Sequence, residues 1–158
     1  MKKIILCVLV LILIIFTASY NKAIKVDNII KPYSVENLPD KMKTYIFFSS
    51  HSNKELDVTG YESKKEIINL LSNIKVKKVL FSPTTYNPKL KETYQIFLSN
   101  NENEIKSIYI YIINDQYIRI NDKIYKILSN PDLSSIYNII ILDQPNGLID
   151  EFYYNLMH

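Results

Sequence analysis

The sequence predicts an α+β domain: an antiparallel sheet with a C-terminal three-stranded meander, packed against two helices and preceded by an N-terminal hydrophobic helix. Three observations carry that prediction. Residues 107–127 (SIYIYIINDQYIRINDKIYKI) alternate with period two and are cut by polar turns. Two further stretches, one on each side of that segment, place apolar residues at helical spacings of three and four. The chain also opens on an unbroken apolar run from Ile4 to Phe16 behind Lys2 and Lys3.

That opening is a targeting element. A basic start followed by an apolar run is either a secretory signal or an uncleaved anchor whose basic end stays in the cytoplasm. A spanning helix needs about 17–25 residues, a length that residues 4–20 just reach. We read 1–20 as a signal-anchor, a single-pass membrane segment with the domain outside the cytoplasm. Cleavage near Thr17 and Ser19, releasing a secreted protein, is the alternative. Cys7 lies near the start of the apolar run, not at its end, which excludes a lipoprotein signal; as the sole cysteine it also excludes internal disulfides and thiolate zinc sites. Residues 21–43, with Pro32, Pro39 and SVENLPDK, read as a juxtamembrane linker.

The domain is expected over 44–142. Strands are predicted at 44–49 (TYIFFS) and 56–61 (LDVTGY). Ser63-Lys64-Lys65-Glu66 has the S-x-x-E spacing of a capping box, so a helix is predicted to open there. Ile67, Leu70, Leu71 and Ile74 would be its apolar stripe. A strand follows at 75–82 (KVKKVLFS), then a proline-containing loop, then a strand at 92–99 (ETYQIFLS). In the meander, Ile108, Ile110 and Ile112 point one way and Tyr109, Tyr111 and Ile113 the other. Strands at 117–121 and 124–128 complete it, separated by Asn121-Asp122. Pro131 is placed just inside a second helix carrying Leu133, Ile136, Tyr137, Ile140 and Ile141. Residues 143–158 form a tail with helical spacing.

The meander resembles a small family of exported, uncharacterised domains of Gram-positive bacteria, whose tyrosine-rich hairpin ends in a pattern like Tyr-Ile-Glu-Gln-Pro-Tyr-x-Gly-Ile-Tyr. Tyr117-Ile118 and Ile124-Tyr125-Lys126-Ile127 fit its two ends, and Thr85-Tyr86-Asn87-Pro88 with Tyr94-Gln95-Ile96 looks like its loop and strand. Arg119 stands where the family has glutamate, and Asn121-Asp122-Lys123 replaces the longer turn. The resemblance implies export and fold; no activity comes with it.

Chemistry is sparse. Two glycines leave no phosphate-cradling loop, and the signatures of metal, serine and cysteine hydrolases are missing. No cofactor and no metal are expected. A net charge of +3, spread along the chain, does not call for a nucleic acid. His51, beside Ser49, Ser50, Glu55 and Asp57, is expected to be an exposed turn histidine; the alternative is an envelope hydrolase with carboxylates gathered around it. Lys75, Lys77, Lys78, Lys89 and Lys91 are expected to be a solvated basic face. Tyr109, Tyr111, Tyr117 and Arg119 form a candidate interaction surface, because tyrosine and arginine combine contact area with a polar handle. Cover by the second helix or the tail would instead make the tyrosines part of the packing. The functional expectation is therefore a membrane-tethered, extracytoplasmic, non-enzymatic domain that binds a protein or cell-envelope partner. A structural accessory subunit of a membrane complex is a further alternative.

Overall fold

In the computed structural model the described residues are 2–49, 52–79, 92–100, 107–113, 116–129 and 131–145. Helix α1 (Lys2–Asn21) leads into β1 (Ile24–Lys25) and a 3-10 turn (Val26–Asn28). The hairpin β2 (Lys41–Ser49) and β3 (Ser52–Val58) follows, then α2 (Tyr61–Ser72) and β4 (Lys75–Lys78). β5 (Glu92–Ser99), β6 (Ile108–Ile113), β7 (Tyr117–Ile120), β8 (Lys123–Ile127) and α3 (Leu133–Leu142) complete the order.

All strands join one antiparallel sheet of eight, in the order β1-β4-β8-β7-β6-β5-β2-β3. The α+β class is thus as expected, but the three-stranded C-terminal meander is not a unit of its own. β6, β7 and β8 are successive antiparallel neighbours, yet β6 pairs onward with β5 and β8 with β4. Period-two patterning sets which side chains share a face; it does not say where a sheet stops.

One face is dry. Ile110, Ile112, Ile118 and Ile96 are fully buried, with Leu98, Met42, Leu56, Val58 and Val76 on the same side. Each apolar side chain taken from water contributes about 1.5–3 kcal/mol before entropy is counted. Over this face lie α2, through Ile67, Ile68 and Leu71, and α3, through Leu133, Ile136, Ile140 and Ile141. The two helices touch each other, and α2 also touches the Val26–Asn28 turn. Residues read as a linker therefore belong to the core: Val26, Ile30 and Tyr33 have no exposed surface, and β1 pairs with β4. Their apolar side chains needed partners that only the folded helix layer supplies.

Both helix starts differ from expectation. α2 begins at Tyr61, with Gly60 at the N-cap and no side-chain cap of its own, so Ser63 is already inside the helix. For α3 the N-cap is Asp132, and Pro131 precedes it instead of opening the helix. The Asp132 carboxylate accepts from Ser135 N (3.2 Å), Ser134 Oγ (2.5 Å) and Ser135 Oγ (2.6 Å). These hydrogen bonds, the Ser134 hydroxyl first, hold its pKa below the ordinary value of 3.8. A depressed carboxylate stabilises the fold above its unfolded pKa, and the contribution disappears as pH falls through the lower folded value. An NMR titration of Asp132 should accordingly give a midpoint below that of a free aspartate, and Ser134→Ala should raise it towards the ordinary value.

α1 is an apolar N-terminal helix of 20 residues. Among the described residues no helix is long and apolar enough to cross a membrane. The stretch of α1 with described side chains, residues 4–15, covers about 18 Å at 1.5 Å per residue, against a hydrocarbon core of about 30 Å. The expected spanning segment is thus shown only as an apolar helix.

Candidate interaction surface

The second face of the sheet carries the residues opposite in parity to the core. Burial along β6 alternates, with Ile108, Ile110 and Ile112 inward and Tyr109, Tyr111 and Ile113 outward. β7 repeats the pattern, with Ile118 and Ile120 inward and Tyr117 and Arg119 outward. All four candidate residues therefore share one face. Tyr109 is 42% exposed, and Tyr111, Tyr117 and Arg119 are half-buried.

Register then assembles rows that no single strand contains. Across six strands run Glu55, Tyr45, Gln95, Tyr111, Arg119 and Ile124 as successive partners. With strands about 4.8 Å apart, that row is about 24 Å wide. Beside it lie Asp57, Lys43, Phe97 and Tyr109. On the other side lie Ile113, Tyr117, Lys126 and Lys77. Directly opposite side chains stand close enough to pack, and they do. The Arg119 guanidinium lies 3.8 Å from the centroid of Tyr111, and the rings of Phe97 and Tyr109 are 4.8 Å apart at 43°. The first is a cation–π stack and the second a tilted aromatic pair. Together they hold a broad, shallow aromatic surface with a planar cation at its centre.

Its β2–β3 end is polar and internally satisfied. Lys43 Nζ bonds Glu55 and lies 4.0 Å from Asp57. Hydrogen bonds from Lys43 and then Tyr45 lower the Glu55 pKa, while the bond to Glu55 raises those of Lys43 and Tyr45. Glu55 is thus engaged by its own neighbours. Among the described residues no group of three His, Cys, Asp or Glu side chains could hold a metal. His51 lies outside the described residues, as do Glu102, Glu104, Asp150, Glu151 and the tail from 146.

A cavity of about 230 Å³ sits on the helix layer, lined by Leu70, Asn73, Ser129, Asp132, Leu133 and Ile136 among others. Its one carboxylate, Asp132, is taken by the serine hydroxyls of α3. The Tyr33 hydroxyl is buried without a hydrogen-bond partner; burial, and then Asp40, raises its pKa. Neither feature gathers acid–base pairs.

Tyr45 and Phe97 complete the aromatic surface but did not stand out in the sequence. Strand parity within 92–99 does turn Phe97 away from Ile96 and Leu98. Nothing local says that β2 lies beside β5. No family model, curated protein or solved structure matches this chain.

Proposed function

We propose that this chain is a membrane-tethered, extracytoplasmic, non-enzymatic binding domain, with α1 as its tether and the tyrosine-rich sheet face as the surface that takes up a protein partner. The observation that carries this reading is the open aromatic face, where Tyr109 stands exposed beside the Tyr111–Arg119 stack. Tyrosine and arginine are enriched at the energetic centres of protein interfaces, tyrosine through a large rigid contact with a polar handle and arginine through its planar, many-donor cation. The β2–β3 flank suits a protein as well, with its Lys43–Glu55 pair. For the tether, α1 is an N-terminal helix of 20 residues with an unbroken apolar run. Ile4 through Ile15 all present exposed apolar side chains, from 48% to 68% for those other than Cys7. Lys2 and Lys3 favour an inside N-terminus and hence an outside domain. The engagement of Glu55 by Lys43 and Tyr45 weighs against a hydrolase built around His51.

The test is capture of the full-length chain from its own membranes. A photoreactive amino acid at Phe97 should crosslink a defined protein in the unsubstituted chain. The double substitution Tyr109→Ser and Tyr111→Ser should abolish that product while the circular dichroism spectrum is kept. Crosslinking that survives both substitutions would remove the face from consideration.

A further inference from the structure

The same sheet face ends, on the β1–β4 edge, in lysines set directly against lysines. Lys25 is the cross-strand partner of Lys75, and Lys77 is the partner of Lys126. Val76 between them is fully buried, so Lys75 and Lys77 turn to the open face together. Like charges directly opposite one another destabilise a sheet. None of these four lysines has an acidic partner among the described residues. An arrangement that works against folding twice over points to a ligand of opposite sign. Its neighbours are not purely polar: Leu128, 46% exposed, is joined through its N–H to the Lys75 carbonyl (2.8 Å), and Tyr117 pairs with Lys126. Lysine, tyrosine and an exposed aliphatic side chain are the residues that settle at a bilayer–water boundary.

The patch also lies where a bilayer would be. Lys25 follows the last residue of α1, Asn21, by four positions, within about 14 Å even for an extended chain. α1 itself touches β4. We infer that Lys25, Lys75, Lys77 and Lys126 form a cationic platform that seats the domain on anionic phospholipid headgroups beside the exit of α1, an inference that rests on the reading of α1 as the membrane tether. The platform fixes which edge of the sheet meets the membrane and leaves the Tyr109–Tyr111 region, on β6 three strands from β4, for the protein partner.

The test uses the full-length chain with phosphatidylcholine vesicles and with vesicles that also contain phosphatidylglycerol, followed by amine-reactive labelling and mass spectrometry. In the anionic vesicles the four lysines should label about five-fold more slowly or better, the factor expected for one cation at such a surface. Lys43 and Lys65 should be unchanged, and high salt should erase the protection. Lys77→Glu with Lys126→Glu should restore fast labelling at Lys25 and Lys75. Equal labelling in the two vesicle types, or slowing shared by Lys43 and Lys65, overturns the platform. The tether is judged separately: a chain that does not sediment with phosphatidylcholine vesicles removes α1 as the anchor. In that case salt-sensitive sedimentation with the anionic vesicles alone supports the platform, and its absence overturns it.

Discussion

Ile110→Ala should destabilise the protein by about 2–5 kcal/mol, whereas Tyr111→Ser, one residue along the same strand, should cost about 1.5 kcal/mol or less. Ile110 has no exposed surface and sits in β6, flanked by Ile96 and Ile120 in the neighbouring strands. Removing three carbons there leaves a cavity in a layer that the helices cannot collapse into without moving. Tyr111 faces the other way and loses only its strand preference and its stack on Arg119. Denaturant unfolding of both variants in the same detergent compares them directly. A Tyr111→Ser loss as large as that of Ile110→Ala would mean that the tyrosine face is itself a core, and the binding proposal would fall with it.

The second large effect concerns the start of α2. Asp143, just beyond α3, accepts hydrogen bonds from Thr59 N (2.7 Å) and Gly60 N (3.1 Å), so a carboxylate 83 residues away does the capping that Ser63 does not. The same link ties the end of α3 to the beginning of α2, and Gln144 adds a bond to the Asp57 carbonyl of edge strand β3 (3.1 Å). Asp143→Ala should cost about 1–2 kcal/mol, the range for a lost N-cap with donors left unpaired. Gly60→Ala should cost a similar amount for a different reason. Gly60 has φ −64°, which any residue adopts, but an added Cβ would stand 2.3 Å from Asp143 Oδ1. The carboxylate must then leave. Because both substitutions remove the same contact, the double variant should lose little more than either single one. A double-mutant cycle by urea unfolding reads this out, and simple additivity would show that the two sites act separately.

The contrast between the two helix starts shows what local sequence can carry. At α3 the cap and its serines lie within three residues, and the Asn-Pro-Asp stretch marks a start that was misplaced only by the position of the proline. At α2 the S-x-x-E spacing was a false lead, because the true cap comes from the far end of the chain. The lysine platform has the same origin. Lys75 and Lys77 are visible as a pair in the sequence, but Lys25 and Lys126 join them only once β1 and β8 flank β4.

Periodicity by itself determined the isoleucine and tyrosine sides of β6 and β7, the buried stripes of α2 and α3, and the apolar run that became α1, because side-chain direction follows from backbone geometry within a few residues. The tertiary structure alone decided which strands became neighbours. It placed β2 beside β5, drew Val26, Ile30 and Tyr33 into the core, and set Asp143 at the head of α2. Such pairings depend on how distant segments bury their apolar faces together, and that competition has no signature in any one window of the chain.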